Sequence, residues 1–238
     1  MGVTVGPVGD DRAAEYLAAM GQAFGFDSSD EHRERFSKYF EWDRARAAYD
    51  GDRIVGTLGA YSFEMTVPGG TMPCGGTTVV AVLPTHRRRG VLRQMIESHF
   101  EDVRERGEPI AGLWASESSI YGRFGYGIAA VGLDVEVDRD HVDLHRLAPR
   151  AAPARLVSRE EAMDLFPPFY DRERRLRPGF FARSPSWWEF RRFHDSEPSR
   201  EGATAFRYAV TEENGVVTGF AQYRFKEKWR EGHGQGTV

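Results

Sequence analysis

Arg87, Arg88 and Arg89 stand directly before Gly90, and of all the residues in the sequence this run is the best suited to holding a phosphorylated group. An arginine guanidinium is planar, keeps its charge and donates two parallel hydrogen bonds to a phosphate. Gly90 has no side chain, so a phosphate approaches its backbone closely. If a helix begins here, the amides of Arg89, Gly90, Val91 and Leu92 are unpaired first-turn donors at its positive end. Three arginines are unfavourable beside that end unless an anion offsets them. An isolated Arg-Arg-Arg-Gly run reads equally well as a solvated basic surface, so the flanking elements must decide.

Those elements favour the cradle. After Gly90, apolar residues fall at Val91, Leu92, Met95, Ile96, Phe100 and Val103, which predicts a one-sided helix that Gly107 and Pro109 end. Before it, Val79 to Leu83 is short, apolar and β-branched, suited to a strand buried on both faces, and Pro84 closes it. A strand therefore feeds a helix N-terminus. Upstream, Val3 to Val8 suits an opening strand, and Asp11 to Phe24 a helix. Ser28-x-x-Glu31 is a capping box for a second helix running to Phe40. Asp50-Gly51 turns a strand ending at Tyr49 into one beginning at Arg53, and Gly69-Gly70 turns a second hairpin. Downstream, Ile110 to Ala115 suits a strand, and Leu133 to Val137 alternates with acids as an antiparallel strand with one wet face does.

Two segments carry a resemblance. Arg87-x-x-Gly90 after a strand is similar to the cofactor motif of the GNAT acetyltransferases, with Leu92 where a small residue is usual. Pro84-Thr85-His86-Arg87-Arg88-Arg89-Gly90-Val91-Leu92 is closer still to the Eis group of that superfamily. So is Ala115-Ser116-Glu117-Ser118-Ser119-Ile120-Tyr121-Gly122-Arg123-Phe124-Gly125-Tyr126-Gly127. The resemblance implies an α/β (α+β) GNAT fold, a mixed and mostly antiparallel sheet flanked by helices. It also implies an N-acetyltransferase using acetyl-CoA as co-substrate on a primary amine, either aminoglycoside-like or lysine.

Acetyl transfer from a thioester to an amine requires a pyrophosphate cradle, a donor for the developing oxyanion, a proton source for the thiolate and a base for the amine. By resemblance, CoA is held by Val80, Val82, Arg87, Arg88, Arg89, Gly90, Val91, Leu92 and Ser116. The Val80 main-chain N–H faces the thioester carbonyl, and Tyr121 is the general acid. Ser116 is expected to cap the short helix that carries Tyr121. Val79, Val80 and Val82 serve equally as ordinary core strand. Tyr126 is expected to pack at the start of the next strand. Asp27, Phe36 and Val79 are the expected acceptor-side residues, although Asp27 also reads as a solvated capping residue.

The base is the missing part. Eis proteins are considerably longer, and their C-terminal carboxylate is thought to accept the amine proton, so the chain is expected to be a fragment or a truncated copy. A catalytically inactive acyl-CoA sensor or partner subunit is therefore the alternative function, and a nucleic-acid module using the arginine run ranks below both.

With 238 residues, 40% of them hydrophobic and 29% charged, the chain can bury a substantial core. Its net charge of −4 argues against a general nucleic-acid binder. A single cysteine, Cys74, excludes an intrachain disulfide, and without a signal peptide or long apolar run the chain reads as cytoplasmic with no membrane partner. Seven scattered histidines lack metal-ligand spacing, so no metal is expected. An Ala/Pro-rich linker at residues 146–153 divides a GNAT domain, 1–149, from residues 150–238. The latter are expected to be the first part of a second, cofactor-free GNAT-like domain with an unfinished sheet. The aromatics Phe180, Phe181, Trp187, Trp188 and Phe190 are expected to serve core and interdomain packing. The resemblance further suggests a homo-oligomer, a hexamer.

Overall fold

In the computed structural model, residues 2–131, 153–230 and 233–237 are described. The expected strand at Leu133 to Val137, most of the linker and the boundary at residue 149 lie outside them. The chain forms two compact units, Met1–Ala130 with Arg174–Ser186, and Val131–Glu173 with Trp187–Val238.

The first unit carries a five-stranded sheet in the order β1-β2-β3-β4-β5. Its strands are β1 (Thr4–Pro7), β2 (Arg46–Asp50), β3 (Arg53–Val67), β4 (Gly70–Val82) and β5 (Ile110–Leu113). All neighbours pair antiparallel except β4 and β5, which are parallel. Three helices accompany the sheet: α1 (Ala13–Phe24), α2 (Asp30–Ser37) and α3 (Val91–Glu105). Gly25, at φ 81°, ends α1 by taking the left-handed conformation that its lack of a Cβ permits. The apolar stripe of α3 packs as its spacing predicts, with Val91, Met95 and Ile96 against Ala48, Val55, Leu58 and Leu83.

Two local readings change. The side chain that caps α2 belongs to Ser29, whose Oγ accepts from the His32 N–H at 3.1 Å, and the helix stops at Ser37. The Ser28 and Ser29 side chains carry the same acceptor, and the β-region backbone at Ser29 (φ −77°, ψ 164°) selects between them. Val79 to Leu83 is not a separate strand either. Val79 to Val82 is the end of a single β4 that starts at Gly70, and Leu83 lies beyond it.

A buried charge cluster joins the sheet to α3. The fully buried Arg44 guanidinium donates to both oxygens of Glu108 at 2.7 and 2.6 Å, to Asp102 at 3.1 Å and to Ser62 at 3.0 Å. A buried guanidinium persists because every charge facing it is paired. Within the same unit, the segment 174–186 returns to the outer part of β3. Thr66 donates to the Phe180 carbonyl at 2.9 Å, Ala182 to that of Glu64 at 2.8 Å, and Arg174 pairs with Glu64 at 2.7 Å.

The second unit holds β6 (Ala154–Val157), β7 (Arg207–Glu213) and β8 (Val216–Tyr223) in one antiparallel sheet, with α4 (Arg159–Arg174). Asn214 and Gly215 turn β7 into β8 with positive φ at both positions, the geometry that matches strand twist in a two-residue hairpin. Its core is Ala162, Phe166, Trp188, Phe193, Tyr208 and Val210. The expected aromatic cluster is divided between the units: Trp188 is buried here, whereas Phe181 packs on Phe63 of the first unit. The glycine-rich tail is itself a hairpin, β9 (Lys226–Arg230) with β10 (His233–Thr237).

Candidate active site

The sequence around Gly90 builds a tight turn whose geometry suits an anion. Arg88 (φ 61°) and Gly90 (φ 81°) both adopt the left-handed conformation, so the chain reverses tightly before α3. No side chain caps α3, and its first turn contains no acid. The opening N–H groups of the helix therefore lack a side-chain partner, and the helix dipole stands behind them. The turn is tethered from below. His86 Nδ1 lies 2.8 Å from Thr85 Oγ1, its Nε2 lies 3.2 Å from Asp50, and Arg87 Nε donates to the Val82 carbonyl at 3.1 Å.

The strand leading into this turn is distorted. Thr57 pairs with Ala81 and Gly59 with Thr78, so Val79 and Val80 together face Leu58 in a β-bulge. Val79 has φ 48°, a strained value for a β-branched residue, and Thr57 Oγ1 holds its carbonyl at 2.7 Å. On its other side, β4 pairs with β5 only from Cys74↔Ile110 to Thr77↔Leu113. Beyond Thr77 the two strands part, and the bulge lies beside the fork.

A cavity of about 750 Å³ occupies this region. It is lined by Val80, Val82, Arg87, Arg88, Gly90, Val91, Leu92, Ser116 and Tyr121, which brings together nine of the residues singled out from sequence. Arg89 and Val79 are not among the lining residues. His86, Arg93, Arg123 and Phe124 line the cavity as well, and sequence reasoning missed them. Their signal was present: His86 and Arg123 lie inside the two motifs, and Arg93 follows Gly90 by three residues, on the same helical face. Of the charged side chains on this wall, Arg87, Arg88, Arg93 and Arg123 are positive and Glu117 alone is acidic.

Tyr121 sits between two short 3₁₀ turns, Ser118–Ile120 and Gly122–Phe124. The first turn is entered through Glu117 with no side-chain cap, so Ser116 is not the cap it was expected to be. Burial, and then the charge of Glu117, hold the Tyr121 hydroxyl above its ordinary pKa and so protonated. Tyr126 is half-buried as well, and its hydroxyl lies 2.8 Å from Thr77 Oγ1. Asp27 is exposed and lines a second cavity of about 500 Å³. Phe36 is 4% exposed within an aromatic cluster with Tyr39, Phe40 and Trp42, and lines neither cavity. Cys74 is buried, which pushes its thiol up to about 11 and leaves it unreactive. Among the described residues no cluster suited to a metal ion is present, and no helix is long and apolar enough to cross a membrane.

Residues 4–129 match the family model of the acetyltransferase (GNAT) domain. An uncharacterized N-acetyltransferase of Streptomyces avermitilis is 41% identical over 217 residues, covering 90% of this chain and 53% of that protein. The N-acetyltransferase Eis of Mycobacterium tuberculosis is 39% identical over 144 residues, covering 58% of this chain and 36% of Eis. The chain thus spans about half the length, or less, of these curated relatives. Among solved structures, Eis1 from Mycobacterium abscessus superposes with a TM-score of 0.72 at 25% identity, over 94% of this chain and 54% of that one. A GCN5-related N-acetyltransferase from Anabaena variabilis shares the fold at 16% identity, with a TM-score of 0.75 over 95% of this chain and 55% of that one.

Proposed function

The chain belongs to the GNAT acetyltransferase family and resembles Eis, and from that premise we propose that it transfers an acetyl group from acetyl-CoA to a primary amine by direct attack. The observation that carries this reading is the convergence of the arginine turn, the bulged end of β4 and Tyr121 on one cavity. The residues fit the co-substrate. Its pyrophosphate matches the uncapped start of α3 with Arg87 and Arg88, and Arg93 and Arg123 add charge for further phosphate.

The bulge at Val79 and Val80 turns the β4 backbone away from regular pairing, which frees the Val80 N–H to donate to the thioester oxygen as it gains charge. The amine nitrogen bonds to the carbonyl carbon, the carbon–sulfur bond breaks, and the sulfur takes the Tyr121 proton. The proton released by the amine nitrogen returns to the Tyr121 oxygen through solvent, so the products are an amide and free thiol. An aminoglycoside-like amine or a lysine is the proposed acceptor.

The test combines binding and turnover on the full chain. Acetyl-CoA is expected to raise the melting temperature, and a thiol reagent should report amine-dependent CoA release. Tyr121→Phe should lower kcat about 10²- to 10⁴-fold while CoA still binds. CoA binding with no amine-dependent thiol, across a panel of aminoglycosides and lysine peptides, would instead identify an acyl-CoA sensor.

A further inference from the structure

Behind Tyr121 lies a chain of hydrogen bonds that the reaction as described does not use. Thr77 Oγ1 is 2.7 Å from His99 Nε2 and 2.8 Å from the Tyr126 hydroxyl. Thr77 is the last residue of β4 that pairs with β5, so its hydroxyl stands at the fork where the two strands part. His99 comes from the buried face of α3 and is 1% exposed. The Tyr126 ring rests between two others: Phe100 of α3 at 5.8 Å and Tyr121 at 5.9 Å, the latter edge-on at 76°. Its backbone N–H also points back to the Tyr121 carbonyl at 3.4 Å.

A hydroxyl has one proton to give and two lone pairs, so Thr77 donates to no more than one of these partners and accepts from the other. Where the neutral imidazole accepts at Nε2, Thr77 donates to it and accepts from Tyr126; where it donates there, the Thr77 proton is left for Tyr126. In both cases the 2.8 Å hydrogen bond to Thr77 holds the Tyr126 hydroxyl in place. The ring that it fixes is the one against which Tyr121 packs.

We propose that Thr77, His99 and Tyr126 are positioning residues for acetyl transfer: anchored at the strand fork, the Tyr126 ring sets where the Tyr121 hydroxyl stands over the cavity. This rests on the acetyl-transfer reading, and two readouts separate the two ideas. Thr77→Val keeps the shape of the side chain and removes the hydroxyl. It should lower kcat about tenfold, the rate equivalent of one hydrogen bond, and leave KM for acetyl-CoA within about twofold. Thr77→Ser should restore the rate. Tyr126→Phe should match Thr77→Val, and the double variant should be no slower than either, because both cut the same chain.

The second readout needs no turnover. The Tyr121 ¹³Cζ resonance, assigned through Tyr121→Phe, should shift in Thr77→Val and return in Thr77→Ser. An unmoved resonance overturns the inference whether or not the protein is active, and so does an active Thr77→Val with wild-type kcat. If Thr77→Val shifts the resonance but the wild-type chain shows no amine-dependent turnover, the acetyl-transfer reading alone is overturned and the placing of Tyr121 by Thr77 stands.

Discussion

The histidine in the hydrogen-bonded chain behind Tyr121 makes the protein sensitive to acid. Burial, and next to it the Arg44 charge, push His99 down to about 4, with Arg46 adding to the depression and Asp102 opposing it. The unfolded chain takes up this proton near pH 6.5, before the folded one does. Stability is therefore complete above about pH 6.5 and falls as the pH drops towards about 4, by on the order of 3 kcal/mol. Asp102, held below its ordinary value, adds its own loss only in more acidic solution. Melting curves between about pH 7.5 and pH 5 should show this slope, and His99→Gln should flatten it. An equally steep slope in the variant would place the sensitivity elsewhere.

At the level of elements, the decisive feature is the irregularity of β4. A strand pairing regularly with β3 through Val79 would leave no displaced backbone beside the cavity. The structure holds Val79 at φ 48° with a hydrogen bond from the buried Thr57 side chain to its carbonyl. Thr57→Val should cost about 1 kcal/mol in urea denaturation. It should also lower kcat more than it weakens CoA binding, since in the proposed reaction the strained backbone serves the reacting carbonyl and not the pyrophosphate. Equal effects on kcat and on CoA affinity would show that the bulge supports only binding. The helix on the far side of the same turn behaves in the opposite way, because α3 forms where its apolar spacing predicts and stops at Glu105, before Gly107.

Across the whole molecule, charge is separated. The chain carries a net −4, yet the cavity wall gathers four arginines against one glutamate. The proposed co-substrate is a polyanion that such a patch would attract in low salt, and mobile ions screen the attraction over about 8 Å at physiological ionic strength. Raising sodium chloride from about 0.05 M to about 0.5 M should weaken acetyl-CoA binding several-fold, as measured by calorimetry, because the Debye length shrinks across that range. An affinity independent of salt would show that the arginines face solvent and leave binding to neutral contacts. The two units differ in this respect: the turn with its arginine run belongs to residues 1–130, and the second unit brings a separate aromatic core.

What the residues determined by themselves is local. The strand–turn–helix around Gly90, the stripe of α3, the hairpin at Asn214-Gly215, the existence of two more near Gly51 and Gly69, and the two long motifs each depend on neighbours a few positions apart, and that spacing is readable directly. The turns of those two hairpins are Gly51-Asp52 and Pro68-Gly69 rather than Asp50-Gly51 and Gly69-Gly70. A choice between adjacent serines for one cap already escaped it, because backbone angles decide which oxygen reaches the amide. The tertiary structure alone decided the kink at Val79, the parting of β4 from β5, the seat of Tyr126 on Thr77 and the burial of Arg44. Their contacts join residues 22, 49, 58 and 64 positions apart. No periodicity records such pairs, because what fixes them is the requirement that every buried polar group find a partner once the core has closed around it.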